Sequence, residues 1–187
     1  MPNWVYNKMT VTGSKPDLEA FAKKASEQRP EGARPSDLSF WNFVRPADSE
    51  LVEYHETGWY DWNIKHWGTK WDACDAEAGD IERQADDDFS LDYEFSTAWA
   101  DPKEVFEAMV SQHPELSFSV TCNEEQGWGI EYWGEKGELT VTDKWNIPET
   151  HEERESRFGQ CYCEIMDDLD TNYMFDDCPK KKEKVTV

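Results

Sequence analysis

An α+β sandwich built on a split β-α-β motif is the fold class that the 187-residue sequence predicts, and three observations predict it. Short segments that alternate apolar and polar residues recur along the chain, as half-buried strands require. Two of these segments are followed by stretches whose apolar residues step by three and four, the pattern of a helix that buries one stripe. Ten Trp, nine Phe and seven Tyr each bring about 150–250 Å² of buriable surface, so a packed core is within reach although the mean hydropathy is -0.90. Disordered acidic chains are poor in aromatics, which sets this sequence apart from them.

The elements follow in order. Residues 3–12, NWVYNKMTVT, mix β-branched and aromatic residues with partial alternation and stop at Gly13-Ser14, so they predict a first strand. Ser14 or Asp17 can cap a helix over 16–28, with Leu18, Phe21, Ala22 and Ala25 as its buried stripe, and Pro30, Gly32 and Pro35 end it. LSFWNFV at 38–44 is expected to be a second strand, closed by Pro46. Periodicity fails over an insertion at about 47–88, where Trp59, Tyr60, Trp62, Trp67 and Trp71 stand among polar residues, and 72–88 is acidic and Ala-rich, compatible with helix, loop or arm. Regular alternation resumes at 89–96, FSLDYEFS, which puts Phe89, Leu91, Tyr93 and Phe95 on one face and Ser90, Asp92 and Glu94 on the other.

Asp101-Pro102 opens a second helix with Val105, Phe106, Met109 and Val110 as its stripe, and His113-Pro114 stops it. A strand at 116–122 and a hairpin of 127–133 with 138–142 around Glu135-Lys136-Gly137 complete a domain expected over 1–147. From Pro148 a C-terminal acidic helix and tail, 148–187, is expected, its helix running over 149–170 with Phe158, Cys161, Tyr162, Ile165, Met166 and Leu169 on one side. The order β-α-β, insertion, β-α-β, hairpin, helix is that of a ferredoxin-like sandwich with an aromatic-rich central insertion, an extra β-hairpin and an added acidic helix.

Charge is the strongest functional signal. Of the net -22, residues 1–70 carry 10 acids and 9 bases, whereas residues 71–187 carry 31 acids and 10 bases. Such a surface repels nucleic-acid phosphate, which needs Lys and Arg to displace its counterions, and attracts basic proteins. Solubility alone is served by a magnitude of about 2–8. Without an N-terminal apolar segment or a long apolar run, the expected compartment is the cytoplasm. Five cysteines at irregular spacing, Cys74, Cys122, Cys161, Cys163 and Cys178, are expected to be reduced thiols.

The start MPNWVYNKMTVTG, the central WYDWNIKHWGTKWDA and the segment FSTAWADP resemble the YubB-type family of phage and plasmid proteins, over about residues 1–121. The resemblance implies a ferredoxin-like domain, where the term names a chain path and no iron–sulfur cluster. It also implies an accessory protein of a mobile element, a setting in which inhibitors of host defence are common. It carries over no catalytic residues.

No nucleophile elbow, phosphate-binding loop, zincin helix or dinucleotide fingerprint is present in the sequence, so no enzymatic activity, cofactor or metal is expected. Cys161, Cys163, Cys178 and His151 offer zinc-ligand chemistry but lack the usual spacing, and Cys161 fits the helical stripe. The expected partner-binding residues are therefore acids dense enough to imitate phosphates, Asp86, Asp87, Asp88, Glu152, Glu153, Glu164, Asp167, Asp168 and Asp170, with Trp59, Tyr60, Trp62, Trp67 and Trp71 as anchors. The partner they fit is a basic host protein, for example a CRISPR or other nuclease complex, whose basic surface the chain would occupy as a nucleic-acid mimic. The alternative is a single-stranded nucleic-acid binder that stacks bases on the insertion, with Lys65 and Lys70 nearby; no membrane partner is expected.

Overall fold

The alternating segments become strands β1 (Trp4–Gly13), β2 (Cys74–Ala78), β3 (Glu82–Arg83), β4 (Phe89–Ala98), β5 (Ser117–Glu124), β6 (Gly129–Glu135) and β7 (Glu138–Trp145). The computed structural model describes residues 2–27, 35–159 and 177–178. The chain divides into two compact units, Met1–Trp145 and Asn146–Val187, and the first holds the whole sheet. Its strand order is β2-β4-β1-β5-β6-β7, with β3 continuing the β2 edge beside β4. Every pairing is antiparallel. The architecture is thus α+β, one seven-stranded antiparallel sheet with helices.

Those helices are α1 (Lys15–Glu27), α2 (Leu51–Glu53), α3 (Trp59–Trp67), α4 (Lys103–Gln112) and α5 (His151–Phe158). In the first unit α1 and α4 pack on the same face, and the reason is the two-residue period of the strands. Val5, Met9 and Val11 of β1, Leu91, Tyr93 and Phe95 of β4, and Phe118 and Val120 of β5 are buried, and they share one side of the sheet by register. Phe21 of α1 meets Tyr93 and Phe118 edge-on at 5.9 and 5.6 Å, while Phe106 of α4 packs at 6.3 Å from Phe95 and 5.9 Å from Tyr132. Asn7 is the polar intruder on this side. Its Nδ2 donates to the carbonyls of Val5 and Phe95 and to Thr97 Oγ1, while its Oδ1 is buried without a partner.

Three expectations need correction. Residues 38–44 are not a strand: Phe40–Asn42 form a single 3₁₀ turn. Phe40, Trp41 and Phe43 are all buried, which a half-buried strand cannot do with adjacent residues. The turn is fixed by Asp72, whose carboxylate accepts from Ser39 Oγ and the Phe40 N–H, and by Asn42 Nδ2 donating to the Ala25 carbonyl. The edge strands β2 and β3 lie instead inside the acidic stretch 72–88. A register shift between Cys74 and Glu77, with Asp75 at φ 51°, broke the alternation that would have revealed them. Finally, of the helix expected over 149–170 the described part, α5, closes at Phe158, where Gly159 takes φ 70° and returns its N–H to the Glu155 carbonyl, and 160–170 lie outside the described residues.

The hairpin forms as the sequence implies. Lys136 and Gly137, at φ 52° and 84°, make the two-residue turn that matches strand twist, and Glu135 pairs with Glu138 across it.

Candidate protein-binding surface

Because α1 and α4 lie against one side of the sheet, no described helix of the first unit packs on the other, and register decides what that face displays. From β1 come Tyr6 and Lys8, from β4 Asp92 and Glu94, from β5 Thr121 and Asn123, and from β6 Glu131 and Trp133. Glu77 of β2 joins beside Glu94, Glu82 of β3 beside Ser90, and Asp143 of β7 beside Glu131. Among the described residues, Lys8 is the one base that strand pairing puts on this face. It sits 3.6 Å from Glu94, both side chains well exposed. Asp92 accepts a hydrogen bond from Thr10 at 2.5 Å. Tyr6, Lys8, Asp75, Glu77, Glu94, Thr121 and Asn123 line an open cleft of ≈ 600 Å³. Two large aromatics break the polar surface, Tyr6 at 55% exposure and Trp133 at 40%.

The insertion divides its aromatics between core and surface. Trp67 is buried, donates its indole N–H to the Val44 carbonyl at 2.8 Å and meets Phe40 edge-on. Trp62 is half-buried and stacks on His66 with ring centres 4.4 Å apart. Both are mainly packing residues. A π-helical turn, Tyr54–Gly58, joins α2 to α3 and inserts Tyr54, whose hydroxyl bonds Asn63 Oδ1. Trp59 and Tyr60 are exposed, and Trp71 is half-buried against Trp4 at 6.0 Å. Of the five aromatics, Trp59 and Tyr60 are the ones that are exposed.

The acids singled out in sequence separate. Asp86, Asp87 and Asp88 occupy the exposed turn between β3 and β4, where Arg83 reaches Asp86 at 3.5 Å. Glu152 and Glu153 lie in the first turn of α5. There Glu153 has a capping role: its carboxylate accepts from the Glu149 N–H, and its own N–H goes to Thr150 Oγ1. Glu164, Asp167, Asp168 and Asp170 lie outside the described residues, as do Cys161 and Cys163. Among the described residues no group of three His, Cys, Asp or Glu side chains is placed to hold a metal ion. Nor is any described helix long and apolar enough to cross a membrane.

Asp92, Glu94, Glu131, Tyr6 and Trp133 were missed as site residues by sequence reasoning, although the signal was there. In FSLDYEFS the acids fall on the face opposite the aromatics, so the strand pattern already marked an acidic face.

Perturbed titration is found beneath the open face. Burial pushes the Tyr93 hydroxyl up, and burial with the hydrogen bond to Asp101 does the same for Tyr132. Burial also raises the Cys122 thiol well above its ordinary value, which makes it an unreactive core residue.

No family model matches the chain, and no curated protein matches it. Its fold is similar to that of a solved structure, the protein api92 from Yersinia pseudotuberculosis, assigned to the family model DUF1281. The two share 8% identity at a TM-score of 0.52, over 79% of this chain and 99% of that one. At that identity the likeness concerns the chain path alone.

Proposed function

We propose that the chain is a non-enzymatic acidic binding protein that sets the uncovered face of its sheet on the basic surface of a nucleic-acid-binding protein. The observation that carries this reading is the cross-strand row of Glu77, Glu94 and Glu131, with Asp92 next to it, on the face that also exposes Tyr6 and Trp133. Carboxylates on a rigid sheet keep fixed spacing, so they can meet a phosphate-binding surface without the ordering cost of a flexible tail. Aromatic anchors beside such carboxylates are the residues that most often dominate binding energy. In this reading the strand order β2-β4-β1-β5, with α1 and α4 as connections, is the ferredoxin-like split β-α-β unit, β6 and β7 are its added hairpin, and the chain is a YubB-type accessory protein of a mobile element acting on a host defence nuclease.

The test is capture. Immobilised chain is expected to retain nucleic-acid-binding proteins from a bacterial lysate at low ionic strength and release them at high ionic strength, since charge pairs are screened within about 10 Å at 0.1 M salt. The triple variant Glu77→Lys, Asp92→Lys, Glu94→Lys is expected to retain none of them. Equal retention by the variant would sink the proposal.

A further inference from the structure

Near the Trp4 end of β1, the Lys70 ammonium lies among three aromatic rings. Its Nζ is 5.6 Å from the ring centre of Tyr60, 4.8 Å from that of Trp71 and 5.1 Å from that of Trp99, all within the reach of a cation–π contact. The walls are braced from behind, Trp71 by Trp4 at 6.0 Å and Tyr60 by the edge of Trp59 at 5.8 Å. Two of the three walls face solvent, Tyr60 at 41% and Trp99 at 44% exposure.

Trp99 supplies an independent observation. It takes φ 70°, a left-handed conformation in which a bulky residue is a true outlier. The backbone around it holds it there: its N–H donates to the Asn3 carbonyl at 2.9 Å, and Thr97 Oγ1 donates to the Ala100 carbonyl at 2.8 Å. Glycine or asparagine would satisfy the turn at less strain. A tryptophan that is strained and still exposed is not there to fill the core, and strain of this kind gathers at binding sites.

We propose that Tyr60, Trp71 and Trp99 form a cation box whose external ligand is an arginine side chain of the partner, with Lys70 as the resident cation that this arginine displaces. The proposal rests on the reading of the chain as a binder of basic proteins and adds to it a specific anchor. The direction of exchange follows from hydration. An ammonium is a compact, strongly hydrated ion, whereas a guanidinium is planar, weakly hydrated and stacks on aromatic faces. Exchange returns to water the ion that water holds better. Lys70 can leave without disturbing the loop, because its backbone carbonyl is held by Asn63 Nδ2 at 2.9 Å.

Titration of the full chain with N-acetyl-arginine methylamide, followed by tryptophan fluorescence and by the indole NMR signals of Trp71 and Trp99, tests the box. Binding by Lys70→Ala is expected to be about five- to tenfold tighter than by the unaltered chain, because a resident competitor is gone. Lys70→Gln, which keeps the aliphatic stem, should show the same gain if alanine loosens the rings. The lysine analogue should bind more weakly than the arginine probe, and Trp99→Ala added to Lys70→Ala should abolish binding. No gain in either Lys70 variant, or undiminished binding without Trp99, would overturn the box. The sheet-face triple variant should leave probe affinity within about twofold, since Glu77, Asp92 and Glu94 are not among the groups that surround Lys70. Failure of the box with capture still lost in the triple variant refutes the box alone; probe binding with capture intact in the triple variant refutes the sheet-face reading.

Discussion

Adding one methyl group at position 134, by Gly134→Ala, should expose which face of the sheet carries the helices. Gly134 lies in β6 between Phe118 of β5 and Leu139 of β7, on the covered side. A Cβ there would collide with Val110 Cγ2 of α4, stand 3.2 Å from Val110 Cγ1 and 3.4 Å from Leu139 Cδ1. Val110 is buried and β-branched, so it has little rotamer freedom with which to yield; α4 must lift instead. Overpacking of this kind costs about 1–3 kcal/mol. At about 2–4 °C per kcal/mol for a chain of this size, a cost near the middle of that range lowers Tm by roughly 4–8 °C. Val110→Ala alone should also destabilise, by about 2 kcal/mol from the cavity it leaves. Together the two changes should compensate, because the methyl added at Gly134 moves into space the valine vacates, giving a coupling of at least about 1 kcal/mol by chemical denaturation. Strict additivity, within about 0.5 kcal/mol, would mean that α4 does not pack on β6 at this point, and the uncovered face would have to be assigned again.

Two further outcomes follow from single residues. His113 packs its ring edge-on to Phe21 at 5.2 Å, its Nε2 is buried without a partner, and burial lowers its pKa more than Glu115 at 3.2 Å raises it, with Lys24 adding to the lowering. The unfolded chain therefore binds the proton first, so stability should fall as pH drops from about 6.5 toward the depressed folded value and level off below it. His113→Gln should show a smaller loss between about pH 7.5 and 5 by urea denaturation, and an equal loss would refute the assignment. Lys136 holds φ 52° in the two-residue hairpin turn, a position that favours Asn; Lys136→Asn is expected to stabilise by about 0.4–1 kcal/mol, and a lower denaturation midpoint would contradict the turn geometry.

The parts of the fold legible in sequence were those with an unbroken period. FSLDYEFS, the Val105–Val110 stripe and the Lys136-Gly137 turn each formed where the pattern put them. What escaped was decided by contacts distant in sequence. The apolar run at 38–44 looked like a strand because nothing local shows that Asp72 will take the Ser39 hydroxyl and the Phe40 N–H. Edge strand β2 escaped because a bulge at Asp75 shifts its register. The aromatic cluster of the insertion was visible in composition, but its division into a buried Trp67 and exposed Trp59 and Tyr60 depends on the π-helical turn that sets the rotation of α3. Lys70 was noted only for its charge, and its partner Trp99 lies 29 positions away along the chain.

Acidity by itself does not choose between a solubilising surface and a binding one. An uncovered antiparallel sheet must be polar to remain in solution, and its edges must resist pairing with other chains. The acidic turn Asp86–Asp88 and the bulged, two-piece edge of β2 and β3 serve that second need. Asp92 and Glu94 are partly engaged with Thr10 and Lys8, which is also what a quiet surface would do. Solubility has no use, however, for Tyr6 at 55% and Trp133 at 40% exposure on that face, nor for a strained, exposed Trp99 holding a cation on its ring. Interfaces do have a use for them: their centres are enriched in aromatic residues, and the polar rim sets encounter and orientation. The aromatic residues set within and beside the acidic face, more than the number of acids, are what give it the composition of a docking surface.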